Sequence, residues 1–299
     1  MTGKGGAGKS TVAAALAVAA ARRGLRVIVV EVATRDDVSR ALGGEEALRN
    51  REVELAWGVH HTSVDPEAAM REYLLDQLPS RSLAALLGHS RTFAYLTATT
   101  PGMRELLTIG KVWELAQEDR RTAGAEPYDL VILDAPATGH GVAVLSAPRT
   151  FAQAAKVGRV ARQASRIDAL VSDPERTAVV AVARPEEMPV NETLQLRREL
   201  RDAIGLPVSL AVVNRLLPSR LSAAEARALA THAAHVGGAS SIAVDAALRR
   251  HRRAKAERAQ LARLRRGLDC PVVSMRELLH PALDAHAIRT LSGELERVL

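Results

Sequence analysis

Near the amino terminus stands Gly3-Lys4-Gly5-Gly6-Ala7-Gly8-Lys9-Ser10, which satisfies the pattern G-x-x-x-x-G-K-[ST] at every fixed position. Backbone this rich in glycine can curl so that successive N–H groups face a polyphosphate, and a helix starting after Gly8 adds the positive end of its dipole. Gly3, Gly5, Gly6, Ala7 and Gly8 would then cradle the phosphates, with Thr11 in the first helical turn. In that chemistry Lys9 holds the β- and γ-phosphates and the Ser10 hydroxyl ligates Mg2+. Such a site needs a second, metal-facing carboxylate, and Asp134 fits because it directly follows the apolar run 130–133. ATP and Mg2+ are the expected cofactors. The same glycines also spell G-x-G-x-x-G (Gly3, Gly5, Gly8), with Glu31 closing the next strand as in a dinucleotide-binding fold. That rival leaves Lys9-Ser10 and the Asp134 strand without a purpose, so the phosphate loop is the better reading.

Alternating helices and strands must position these groups. Residues 11–23 are alanine-rich and unbroken, and Gly24 is placed to end a helix. Runs at 25–30, 130–133, 178–182, 208–213 and 270–273 are short and apolar, many of them β-branched, as buried parallel strands are. Strands of this kind separated by helical stretches predict an α/β fold, a mostly parallel sheet flanked by helices. Between the second strand and residue 130 no strand is evident, while 67–78 and 103–117 carry helical spacing of Leu, Tyr, Met and Trp. We therefore expect one domain over 1–299, with its core at 1–46 and 126–299 and a helical insertion at about 47–125. Because the chain opens at Met1-Thr2, the central strand that should precede the loop is expected to be missing, as a misassigned start codon or a truncation would leave it.

Composition narrows the function further. The 299 residues are 47% hydrophobic and 25% charged, which fits a globular protein and argues against disorder or collagen. A single cysteine, Cys270, excludes an intrachain disulfide framework and any cysteine-rich zinc site within one chain. Aromatic residues at 2% argue against a base-stacking surface for nucleic acid. The net charge of +7 is local, because residues 249–266 hold nine Arg or Lys and one acid, Glu257. A solvated helix face explains that run better than a nucleic-acid or lipid site. No apolar run reaches the ~20 residues that span a bilayer, and the phosphate loop explains the signal-peptide-like start, so a cytoplasmic, non-spanning protein is expected.

A second lysine inside the loop, Lys4, marks the deviant phosphate loop of a class of dimeric ATPases, in which it reaches across the subunit interface. With it, Tyr128-Asp-Leu-Val-Ile-Leu-Asp-Ala-Pro-Ala-Thr-Gly-His140 resembles the strand and switch II of the ArsA-type anion-transporting ATPases, which include arsenical-pump and tail-anchored-protein targeting ATPases. Their motif is usually D-T-A-P-T-G-H and here reads Asp134-Ala-Pro-Ala-Thr-Gly-His140. Further similarity runs through Val64-Asp-Pro-Glu, Arg71-Glu-Tyr, Pro101-Gly-Met-Arg-Glu-Leu-Leu-Thr-Ile-Gly-Lys111-Val-Trp-Glu, Arg184-Pro-Glu-Glu-Met, Asn191-Glu-Thr and Val212-Val-Asn214. The likeness covers nearly the whole chain and points to bacterial, especially actinobacterial, members. It implies Mg·ATP binding and hydrolysis at a dimer interface, in a homodimer or with a paralogous ATPase, coupled to a client or membrane partner that the sequence does not name. It also implies that Asn214 reads adenine and that the stretch from Pro136 to His140 senses the γ-phosphate.

Departures from the family pattern shape the remaining expectations. Where family members place an aspartate after the second strand to position the attacking water, this chain has Ala33, with Glu31, Asp36 and Asp37 nearby as substitutes. Ala33 also leaves room for an alternative, a non-hydrolysing subunit paired with an active paralogue. A partition-type ATPase acting on DNA or membrane is a further alternative, against which 291–299 are not basic and switch II is ArsA-like. No C-x-x-C exists to clasp a dimer through zinc, and Met70 and Met103 are the insertion's only methionines. His232 and His235 have metal-like spacing without a third ligand, His60-His61 has no evident partner, and Trp113 and Tyr73 are expected in the core of the insertion.

Overall fold

The computed structural model describes residues 1–32, 35–44, 51–77, 100–122, 124–155, 158–233, 237–279 and 283–296. Buried β-branched runs form the frame, as parallel strands covered on both faces require. Strand β2 (Val27–Val32) lies between β4 (Val59–Val64) and β5 (Leu130–Asp134), parallel to both, and β3 (Val53–Glu54) joins β4 antiparallel at the edge. Strand β6 (Val179–Ala183) lies parallel between β1 (Thr2–Gly3) and β7 (Val208–Leu216), with β8 (Val272–Arg276) beyond β7. The two sets of four strands meet through Met1, whose amine donates to the Leu133 carbonyl at 2.8 Å and whose carbonyl accepts from the Ala135 N–H at 3.1 Å. The order across the molecule is therefore β3-β4-β2-β5-β1-β6-β7-β8.

Two expectations are corrected here. Two residues, Thr2 and Gly3, do form the strand before the loop, and they pair with Ala181 and Val182. The stretch 53–64 is not α-helical: after a single 3-10 turn at Ala56–Gly58, Val59 to Val64 continue the sheet beside β2. Its sequence, Val59-His-His-Thr-Ser-Val64, is too polar to read as a buried strand, yet all of it except His60 is buried. The described α-helices of this region are α3 (Pro66–Gln77) and α4 (Met103–Leu115); residues 78–99 lie outside the description.

Period-two alternation divides each strand between two helical layers. Val27 and Val29 face α1 (Lys9–Ala21) and α10 (Ala285–Leu295), while Ile28 and Val30 face the layer that holds α4, α5 (Thr138–Ala155), α6 (Arg159–Val171) and α7 (Glu187–Ile204). Every residue of α1 from Val12 to Ala20 is buried, so this helix is enclosed all round. Its alanines let it lie close to β2 and β5 on one side and to α10 on the other. Gly24, at φ +84°, follows the helix end as the sequence predicts. The short helix α2 (Asp37–Ala41) follows β2, and a long hairpin of α8 (Ala223–Ala233) with α9 (Ala239–Gly267) precedes β8.

Candidate functional site

Parallel strands bring their carboxyl ends to one edge, and the loop from Lys4 to Gly8 lies there between β1 and α1. In register, Glu31 sits opposite Asp134, so two acids end neighbouring strands beside the loop. Gly8 caps α1 at φ +86°, and a Cβ there would collide with the Asn214 amide. Only glycine relieves both constraints. Asn214 is buried near the end of β7 and donates from Nδ2 to the Ala7 carbonyl at 3.0 Å. Ala7 is buried, Gly5 and Gly6 are exposed, and Thr11 lies half-buried in the first turn of α1.

The charged centre is compact. Ser10 Oγ donates to Asp134 Oδ2 at 2.6 Å. Lys9 Nζ, buried, donates to the carbonyls of Gly3 at 3.2 Å and Lys4 at 3.4 Å. Burial lowers the pKa of that ammonium, Asp134 works against the fall, and Arg35 adds to it. Burial raises the pKa of Asp134, opposed by the hydrogen bond from Ser10 and the charge of Arg35. Asp134 Oδ1 is buried and has no hydrogen-bond partner. A hydroxyl and a carboxylate with one orphaned oxygen, both beside a helix N-terminus that attracts phosphate, form a donor set that suits Mg2+ held with a polyphosphate.

The remaining predicted residues divide. Lys4 is held within its own chain, Nζ 2.6 Å from Glu192 Oε1 on α7. Glu31 is fully buried and fully engaged: it accepts from the N–H groups of Asp37 (3.1 Å) and Val38 (3.0 Å), and His61 Nε2 lies 2.9 Å from its Oε2. Asp36 and Asp37 pair with Arg40 at 3.1 and 2.8 Å. Ala33 lies outside the described residues. His140 is exposed in the first turn of α5, just beyond half-buried Pro136 and Ala137.

Sequence reasoning missed three residues. Arg35 reaches the site, its Nη2 3.3 Å from Asp134 Oδ2 and 3.2 Å from the Asp134 carbonyl. Nothing in its local sequence separates it from the other arginines. His61 looked partnerless because its partner comes from another strand, and Glu192 lay inside the noted Asn191-Glu-Thr match without a role.

A second concavity, of about 240 Å³, lies between α3, α4 and α6. Met70, Met103, Leu107, Val160 and Ile167 line it, with Lys111 bonded to Glu72 at 2.9 Å. Trp113 packs against the core beneath this layer; the side chain of Tyr73 lies outside the description. Among the described residues no three His, Cys, Asp or Glu side chains cluster as a metal site, and no helix is long and apolar enough to cross a membrane. His232 lies on α8, and His235 is outside the description.

A phosphate loop at the carboxyl edge of a mostly parallel sheet defines a P-loop nucleotide-binding fold. Residues 1–162 and 152–233 match the profile of the ArsA ATPase family, described as anion-transporting ATPase. The chain belongs to that family. It is 33% identical over 228 residues to ATPase BagA of Mycobacterium tuberculosis, a match covering 74% of this chain and 65% of that protein. It is 26% identical over 250 residues to an arsenical pump-driving ATPase of Escherichia coli, covering 77% of this chain and 41% of that one. The chain thus spans just under two thirds of the mycobacterial relative and less than half of the arsenical one.

Proposed function

We propose that the chain binds Mg·ATP in the loop 3–11 and hydrolyses it in the cytoplasm as a dimer, coupling nucleotide state to a client or membrane partner. The observation that carries this reading is the Ser10–Asp134 pair at 2.6 Å beside buried Lys9, with Asp134 Oδ1 left to accept a further bond. Ser10 and Asp134 would hold Mg2+, which supplies charge neutralisation between the β- and γ-phosphates. Lys9 gives up its two carbonyl contacts to the phosphates, and the backbone of Gly5 to Gly8 donates to them. Asn214, braced on Ala7, offers an amide that both donates and accepts, as the edge of adenine requires. Lys4 leaves Glu192 to act on the nucleotide of the partner subunit, identical or paralogous. Pro136 to His140 sense the γ-phosphate and pass its presence to α5.

Phosphate release from Mg·ATP, with Lys9→Ala as control, tests the reading. Turnover that falls at least about 100-fold in Lys9→Ala supports it. Nucleotide binding without turnover favours the second reading, a non-hydrolysing subunit. What supports that alternative is the occupation of the nearby acids: Glu31 by α2 and His61, Asp36 and Asp37 by Arg40.

A further inference from the structure

Asp134 is held by two donors, one neutral and one cationic. Its Oδ2 takes the hydrogen bond from Ser10 at 2.6 Å, and the same oxygen is 3.3 Å from the guanidinium of Arg35, which also donates to the Asp134 carbonyl. The carboxylate is fully buried, whereas the Arg35 side chain is 36% exposed, so the guanidinium lies at the mouth and the carboxylate in the floor. The geometry holding Arg35 there is built from outside the loop. His61 on β4 bonds Glu31, and Glu31 accepts from the first N–H groups of α2. That pins the start of α2 to the end of β2, and Arg35 is two residues before the helix. Mg2+ drawn to this buried carboxylate would stand close to the Arg35 guanidinium, and the repulsion between the two cations favours release of Arg35 when Mg·ATP occupies the site. The nearest new anion is the phosphate chain held by Lys9.

We propose that Arg35 is the movable cation of this site: it neutralises Asp134 while no nucleotide is bound and transfers to the terminal phosphate when Mg·ATP claims that carboxylate. This rests on the reading of residues 3–11 as a Mg·ATP site. In hydrolysis the water oxygen bonds to the γ-phosphorus as the bond from that phosphorus to the β–γ bridging oxygen breaks. The electron pair leaves on ADP; one water proton stays on the phosphate formed and the other passes to solvent. Arg35 forms no covalent bond, and its N–H groups donate to the non-bridging oxygens of the moving phosphoryl group. Arginines in that role raise kcat by about 10³–10⁵-fold in other phosphoryl-transfer sites.

The experiment uses the full chain with Arg35→Ala and Arg35→Lys, a fluorescent ATP analogue titrated with Mg2+, and phosphate release. If the paired state holds about nine molecules in ten, removing Arg35 lowers the Mg2+ needed for half-maximal nucleotide binding by about tenfold. In Arg35→Ala kcat falls by about 10³-fold and KM does not rise, and Arg35→Lys restores part of the loss. An unchanged Mg2+ requirement overturns the proposal whatever happens to kcat, because Arg35 then does not compete for Asp134. An unchanged kcat in a protein that turns over overturns it equally. Nucleotide binding without turnover leaves the Mg2+ titration to decide. Failure of the unaltered protein to bind Mg·ATP, matched by Lys9→Ala, would instead sink the loop reading.

Discussion

Residues around the loop differ in whether they serve the fold or the ligand, and their environments say which. The Lys4–Glu192 pair is short, yet both side chains are about one third exposed, 33% and 31%. Water screens such a pair, so it contributes at most about 1 kcal/mol. Lys4→Ala should leave the thermal midpoint within a few degrees while lowering turnover about 100-fold, measured by unfolding and phosphate release on one preparation. A large loss of stability with turnover intact would assign Lys4 to the fold alone. Gly8 is the opposite case. A side chain at φ +86° costs about 1–2 kcal/mol before the collision with Asn214 is counted. Gly8→Ala should therefore abolish binding of the fluorescent analogue in a protein whose circular dichroism stays native.

Elements carry the effect outward. The stretch from Pro136 to His140 runs straight into α5, and α5 packs on α4, α6 and α7. Arg149 on α5 donates to the Ala203 carbonyl of α7 and to Ser172 Oγ just past α6, each at 2.9 Å, which ties these helices to α5. Non-hydrolysable Mg·ATP analogue should change amide hydrogen exchange in α4 and α6, which line the 240 Å³ cavity. Exchange that changes only in α1 and the loop would mean that the nucleotide is not read there. The far end of α4 is anchored by a network around buried Glu114, which accepts from Arg120 at 3.2 Å, while Arg120 donates to Glu52 at 2.6 Å. Tyr128 also donates to Glu52, at 2.8 Å. Burial pushes the Glu114 pKa up, but Lys111 and Arg120 outweigh it, and the net pKa is lowered. The folded form thus holds its proton less tightly than the unfolded chain does. The stability this gives is present above the unfolded pKa and is lost as pH falls through the folded one. Glu114→Gln should cost about 3 kcal/mol at pH 7 and progressively less below about pH 4, measured by urea unfolding across that range.

At the scale of the molecule, charge is segregated. Helix α9 buries Ala254, Glu257, Leu261 and Leu264. Glu257, the one acid of 249–266, is turned inward to accept from the Leu217 N–H and from Arg253, both at 2.8 Å. Arg249, Arg252, Lys255 and Arg266 are left facing solvent. Replacing Arg252, Lys255 and Arg266 together by Gln should change stability by less than about 1 kcal/mol and leave nucleotide binding intact, as a solvated face requires. Salt-sensitive binding of the unaltered protein to DNA or anionic vesicles would instead favour a partition-type role. A dimer built across the loop edge should appear in light scattering on adding non-hydrolysable Mg·ATP and be absent in Lys4→Ala.

Short-range patterns determined much of this. The loop 3–10, the buried strands at Val27–Val32 and Val179–Ala183, the helix after Gly8 and the strand-end acid Asp134 are all legible because each depends on spacing within a few residues. The likeness to the ArsA-type family was legible for the same reason. Tertiary structure alone decided the rest. Val59–Val64 is a strand despite its polar residues because β2 supplies its ladder. Glu31 is spent on α2 and His61, and Arg35 stands on Asp134, 99 residues away in sequence. Such pairings are set by strand order and register, and the sheet brings together carboxyl ends that the chain keeps far apart.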